Sequence, residues 1–266
     1  MKVTVVGMGL IGGSLYKAAI QAGYEATALD RGDDVHVEDA DIVLIALPQD
    51  VLIEWLKCYG PTLKEGAVAV DTCGVKVPVC NALKGVLPAG RTFVGGHPMA
   101  GKEHSGYAYA DASILKGAPM ILTPYPDAPK DVIERLVQFF GSLGFGRVLT
   151  TTPEHHDRMI AYTSQLCHVI AAAYTQEPLS HDASGYSAGS YANMTRIASM
   201  DPVVWERLFA ADRDNLLDIL DGFISRLQTF RECLANNDSD GIQRFIQAGA
   251  ASNASDGVNR SAKAAQ

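Results

Sequence analysis

Short apolar runs dominate the first 150 residues of the chain. Residues 2–6 (Lys2-Val3-Thr4-Val5-Val6) form a β-branched run, and similar runs recur at 26–29, 42–48, 67–71, 91–96, 119–123 and 146–151. Such continuous runs, without polar alternation, predict strands buried on both faces of a mostly parallel sheet. Residues 15–22 and 131–141 read as helices between them, which makes an α/β plan. Between Asp30 and Ala40 there are too few residues for the usual helix and strand, so that segment is expected to be a loop with Asp33, Asp34, Glu38 and Asp39 in water. From Thr152 the period changes to helical. Thr152 reads as an N-cap with Pro153 at the first helical position, and that helix is expected to run to about Tyr174. Residues 177–193 read as a loop. Asp201-Pro202 opens what reads as the longest helix, with Leu216, Ile219, Phe223, Leu227, Phe230 and Leu234 at steps of three and four. That stripe is expected at a subunit interface. Residues 248–266 carry no apolar period and are expected to be a disordered tail.

The first strand runs directly into Gly7-Met8-Gly9-Leu10-Ile11-Gly12-Gly13-Ser14. Gly-x-Gly-x-x-Gly between a strand and a helix has a mechanical reason in dinucleotide binding. Gly7 permits the tight turn, Gly9 lets backbone approach a pyrophosphate, and Gly12 allows close helix–strand packing, with the helix N-terminus facing the phosphates. Asp30 follows 23 residues after Gly7, at the end of the second strand. A carboxylate there accepts from ribose hydroxyls and repels a 2′-phosphate, so NAD is favoured over NADP. Arg31 stands beside it, within reach of a phosphate. Met8, Leu10 and Ile11 of the turn, with Leu47 and Pro48 at the end of the third strand, complete the expected cofactor-binding set. The fold class is therefore a Rossmann-like, doubly wound dinucleotide-binding domain over residues 1–151, followed by an all-helical dimerisation and substrate domain over 152–247.

Charge narrows the partners. The 266 residues hold 22 Lys+Arg against 30 Asp+Glu, a net charge of −8, which opposes nucleic-acid binding and basic membrane-surface roles. No run approaches the roughly 18 apolar residues that span a bilayer. Five cysteines at 58, 73, 80, 167 and 233, odd in number and without Cys-x-x-Cys, argue against a disulfide framework or thiolate zinc site and fit a reducing cytoplasm. His155, His156 and Asp157 hint at a metal, but neighbours on a helix diverge and no acidic cluster accompanies them, so no metal is expected.

Several boxes in order resemble the prephenate/arogenate dehydrogenase family of tyrosine biosynthesis. They are the glycine turn; Asp71-Thr72-Cys73-Gly74-Val75-Lys76; Gly95-Gly96-His97-Pro98-Met99-Ala100-Gly101-Lys102-Glu103; His156-Asp157; Ser164-Gln165-Leu166-Cys167-His168; and Thr195-Arg196-Ile197-Ala198 with Asp201-Pro202 and Trp205. The resemblance implies NAD-dependent oxidative decarboxylation of prephenate to 4-hydroxyphenylpyruvate, or of arogenate to tyrosine, by a homodimer joined through its helical domain. It implies His97 as the base on the ring hydroxyl, a role an imidazole suits near pH 7. Arg196 matches the family's carboxylate anchor, a fork suited to bidentate grip; an ion pair to Glu103 or Asp201 is its structural alternative. His168 matches a substrate-contacting histidine, one helical turn from Ser164. Lys102 is expected on the substrate's side-chain carboxylate. Trp205 is expected to be packing.

Three departures from the family pattern stand out. Gly74 replaces a serine that helps orient the substrate hydroxyl, Gln165 replaces the first histidine of its box, and the 30–41 segment is short. The length leaves no room for an appended mutase or regulatory domain beside the two expected. Two other readings share the first box: another small-acid NAD(P) dehydrogenase of the same plan, and a dinucleotide-binding regulator without chemistry.

Overall fold

Seven strands of the computed structural model, which describes residues 1–102 and 104–255, build one sheet. They are β1 (Lys2–Val6), β2 (Glu25–Leu29), β3 (Ile42–Ile45), β4 (Val68–Asp71), β5 (Thr92–Pro98), β6 (Pro119–Pro124) and β7 (Arg147–Thr150). Their order is β2-β1-β3-β4-β5-β6-β7. All neighbours are parallel except β5 and β6, which run antiparallel with His97 opposite Ile121. β3 and β4 are buried along their whole length, as strands covered by helices on both faces must be. Two apolar layers result. One packs Leu15, Ala19, Leu136, Phe139 and Phe140 against the sheet, and the other packs Leu52, Leu56, Val79 and Leu83. These come from α1 (Leu10–Gln21) and α4 (Lys130–Ser142) on one face, and from α2 (Gln49–Tyr59) and α3 (Val77–Leu83) on the other.

The chain leaves β1 outward to β2 and then returns past it to β3, so the winding reverses between β1 and β3. A crevice at the carboxyl ends of strands opens at such a reversal, and Gly7 and Ala46 meet there. The 30–41 segment forms no helix. Val37 and Ala40 are buried under the sheet edge, while Asp33, Asp34, Glu38 and Asp39 are exposed, as expected.

The change from sheet to helix falls between Thr150 and Pro153, where Thr152 Oγ1 caps α5 (Pro153–Ile160) by accepting from the His155 amide at 3.2 Å. The helix expected to reach Tyr174 is interrupted by a π-helical turn at Ala161–Gln165 before α6 (Leu166–Thr175). The expected loop contains α7 (Gly189–Arg196), which begins within it. The single long helix expected after Asp201 is two: α8 (Pro202–Ala211) and α9 (Arg213–Ala235), broken at Asp212. Buried Asp212 turns its carboxylate to Gln165 and Asn215, and its backbone leaves the helical region to do so.

Among the described residues, compact packing makes two units, one up to Leu216 and one from Leu217 onward. In the second unit, α9 turns at Asn237 (φ 53°) into α10 (Ser239–Ser255), and Phe230 meets Phe245 with ring centroids 5.0 Å apart. The disordered tail expected from residue 248 is corrected here: α10 continues to Ser255. Alanines at 248, 250, 251 and 254, the strongest helix former, favour that continuation where no apolar stripe does. The remainder of that tail, 256–266, lies outside the described residues.

Candidate active site

The glycine turn is built as its spacing requires. Gly7 has φ +89°, and a Cβ there would lie 2.5 Å from the Ala46 carbonyl oxygen; one on Gly12 would lie 1.9 Å from the Gly7 oxygen. Gly9 is different, because a Cβ would meet nothing within 4 Å. Its bare backbone faces open space beside the start of α1, as a cradle for a pyrophosphate must. Asp30 and Arg31 lie exposed at the end of β2. Met8 is half-buried against the first apolar layer. These residues fit a dinucleotide.

A cleft of about 800 Å³ opens along the carboxyl ends of the strands. Among the expected residues it brings together Leu10 and Ile11 from α1, Leu47 and Pro48 after β3, and Gly74 after β4. Residues the sequence reading did not select also line it. Thr72, Cys73, Gln49, Asp50, Ala100 and Gly101 come from the sheet side, and Val204, Trp205, Arg207 and Leu208 from α8. Trp205 is thus a wall of the cleft as well as packing. Its ring lies on that of His168 with centroids 3.9 Å apart, and His168 Nδ1 donates to the Ser164 carbonyl at 2.9 Å. Burial pushes the Cys73 thiol up, which favours its protonated form.

His97 lies on β5 itself, one residue from its end, so a paired strand holds its backbone. A Cβ at position 74 would be 4.0 Å from His97 Nε2, which therefore lies beside Gly74 of the cleft wall. Its other nitrogen, Nδ1, is 2.9 Å from His156 Nε2, and His156 Nδ1 is 2.7 Å from Asp157 Oδ1. Asp157 also accepts from the Lys76 and Val77 amides, both at 2.7 Å, which ties α5 to the start of α3. A carboxylate receiving N–H groups on both oxygens is an acceptor only, so His156 carries its proton on Nδ1. His156 Nε2 is then an acceptor, His97 donates to it through Nδ1–H, and the lone pair of His97 is left on Nε2, the nitrogen beside Gly74. The sequence reading named His156 and Asp157 as a box of the resemblance and weighed them as metal ligands, but gave neither a role at the site; their contact with His97 is what it missed. Among the described residues, no three His, Cys, Asp or Glu side chains stand together to hold a metal.

Beneath this chain lies a second buried set. Lys76 is fully buried and donates to the Asp71 carboxylate and to the Gly96 carbonyl at 2.6 Å. Asp71 accepts from the amides of Cys73 and Gly96, each at 2.9 Å, so it clamps the turn after β4 to the strand that carries His97. Burial, first, and then His156 and Lys76 hold His97 well below the usual imidazole range, and burial lowers His156 against the opposing pull of Asp157. Both rings are neutral near pH 7, which is the state a base requires.

The remaining expected substrate residues lie away from these walls in the single chain. Lys102 is exposed one residue beyond Gly101. Arg196 ends α7 and is exposed. Asp201, considered as its partner, caps α8 by accepting from the Val203 and Val204 amides at 2.9 and 3.0 Å. Glu103 lies outside the described residues. Among the described residues, no helix is long and apolar enough to cross a membrane.

Comparison with known proteins agrees with this geometry. The family model for the nucleotide-binding domain of prephenate dehydrogenase matches residues 2–149, and that for its dimerization domain matches 152–248. A cyclohexadienyl dehydrogenase from Zymomonas mobilis is 31% identical, covering 90% of each chain. A prephenate dehydrogenase from Bacillus subtilis is 29% identical over 93% of this chain and 74% of its own. Among solved structures, prephenate dehydrogenase from A. aeolicus in complex with hydroxyphenyl propionate and NAD+ superposes with a TM-score of 0.82 at 26% identity, covering 95% of this chain and 97% of that one.

Proposed function

Since the chain belongs to the prephenate dehydrogenase family, we propose that it catalyses the NAD-dependent oxidative decarboxylation of prephenate to 4-hydroxyphenylpyruvate, or of arogenate to tyrosine. The carrying observation is the Asp157–His156–His97 chain, which leaves an imidazole lone pair on Nε2 beside Gly74 of the cleft that begins at the dinucleotide turn. A regulator without chemistry has no use for it.

When bound, the nicotinamide supplies the hydride acceptor. Gly7, Gly9, Gly12 and the start of α1 would hold its pyrophosphate, Asp30 its ribose, and Leu47 and Pro48 the wall beside it. His97 Nε2 takes the proton of the ring hydroxyl as the hydride leaves that carbon. The carbonyl so formed draws in the electron pair of the C–CO₂⁻ bond, CO₂ departs, and His97 returns the proton to the oxygen as the ring becomes aromatic. His156 and Asp157 keep the imidazole in the correct tautomer and orientation throughout.

His168 and Ser164 are assigned to the substrate ring, and the stacking of His168 on cleft-lining Trp205 supports this. Arg196 and Lys102 are assigned to substrate carboxylates on the match of their boxes. A homodimer is proposed through the helical domain, supported by the match to a dimerization domain and by Leu227 and Leu234 of the α9 stripe, which are half exposed in the single chain. Residues 1–151 and 152–247 are proposed as its two domains. All five cysteines are free, which supports the cytoplasm as its compartment.

The test is turnover followed by the near-ultraviolet absorbance of reduced nicotinamide. Wild type with NAD and prephenate or arogenate should give rising absorbance. His97→Asn should bind NAD as wild type does and lose nearly all turnover. Activity that survives in His97→Asn would remove the base from the proposal.

A further inference from the structure

An acidic protein whose two ligands are anions needs local positive charge in its cleft. The cations expected from sequence, Arg31, Arg196 and Lys102, are not wall residues of the cleft in the single chain; among the described residues lining it, the cationic side chain is Arg207. Arg207 projects from α8 into the same cleft as Leu10 and Ile11, the first residues of α1 behind the glycine turn. Its Nη1 lies 3.9 Å from Asp50 Oδ1 in the first turn of α2. Both side chains are well exposed, at 60% and 72%. At that distance and exposure the pair adds little stability and exchanges readily for a better partner.

We propose that Arg207 is a cofactor-holding residue: its guanidinium leaves Asp50 and grips the dinucleotide's pyrophosphate, closing α8 over the glycine turn. The proposal rests on the reading of this cleft as a dinucleotide site and adds a contact from the helical part of the chain. A diphosphate offers two charges and several acceptor oxygens to a planar five-donor fork, where Asp50 offers one charge near the limit of contact. Asp50 then acts as a holding partner. It keeps the arginine at the cleft mouth before binding and competes with the phosphates for it.

The experiment is calorimetric titration with ADP-ribose, which carries the pyrophosphate and lacks the nicotinamide, alongside NAD. Arg207→Gln should weaken both by about tenfold, as loss of a charged hydrogen bond does, and flatten the dependence of affinity on salt. Arg207→Lys should recover part of the loss. Asp50→Asn should tighten both by about twofold to threefold by freeing the arginine. Melting curves check that each variant is folded. Unchanged ADP-ribose affinity in folded Arg207→Gln would overturn the proposal, and so would a loss confined to an anionic substrate analogue. A wild-type chain that binds neither ADP-ribose nor NAD would overturn the cofactor reading as well, which separates the two failures.

Discussion

His97 and His156 are joined ring to ring, Nδ1 to Nε2 at 2.9 Å, across 59 residues of sequence. The second ring is anchored by its own neighbour, Asp157, so a carboxylate that never reaches the cleft sets which nitrogen of His97 is free there. The two rings meet edge to face, at 62° between planes, and no cation separates them.

His156→Gln tests that linkage. The glutamine oxygen can still accept from His97 Nδ1–H, while the like-charge influence that helps hold His97 down is gone. The acid limb of kcat/KM should start below the usual imidazole range in wild type and move upward in the variant. kcat should fall roughly 10- to 100-fold, less than the full ~10²–10⁴-fold of acid–base catalysis. A pH profile that keeps its position would assign His156 to packing alone.

Gly9→Ala and Gly12→Ala should separate binding from folding. At position 12 the new methyl would sit against the Gly7 carbonyl oxygen, so about 3 kcal/mol or more of stability should be lost with cofactor binding. At position 9 the methyl meets no protein atom, so thermal unfolding should stay as in wild type while NAD affinity falls. Equal losses of stability in the two variants would refute the open cradle at Gly9.

Gly74→Ser would return the hydroxyl that the family pattern places beside the base. Its Cβ would lie 3.2 Å from Leu208 Cδ2, the tip of a flexible side chain, so a small displacement accommodates it at no more than about 1 kcal/mol. Leu208→Val should relieve that contact. Thermal unfolding of the two single variants and the double should be non-additive, with the double more stable than the sum of effects. Strict additivity would show that Leu208 does not fill the serine's place.

Asp212 makes stability depend on pH. Burial pushes its carboxyl up to about 6, against the hydrogen bonds from Asn215 and Gln165. The folded chain holds this proton to a higher pH than the unfolded chain, whose carboxyl titrates at 3.8. Its contribution is therefore present below about pH 4 and is lost as pH rises through 6. Asp212→Asn should remove this slope and gain about 1–3 kcal/mol above pH 6 relative to wild type. The amide also offers a donor to the Gln165 pair, whose Oε1 is buried without a partner. Denaturant unfolding at pH 5 and pH 8 checks both, and parallel losses at the two pH values would contradict the account.

Local order was legible in the sequence because it is written at short range. A β-branched run, a glycine spacing or an N-cap before proline acts within a few residues, so the strands, the cradle formed by Gly7, Gly9 and Gly12, and the start of α5 follow from pattern. The strand that carries His97 was legible too, from the apolar run at 91–96. Where a side chain's partner lies far along the chain, pattern is silent. Lys76 and Asp157 meet across 81 residues, Gln165 and Asp212 across 47, and the latter contact breaks a helix that periodicity alone would continue.

By itself the sequence determined the dinucleotide plan, because backbone geometry and strand burial depend on neighbouring residue types. The tertiary structure alone decided the tautomer of His97 and the cation that faces the cleft. Charge and hydrogen bonding act through space, so Asp157 governs His97 by way of His156, and Arg207 rather than Arg196 or Lys102 stands on the cleft wall of the single chain.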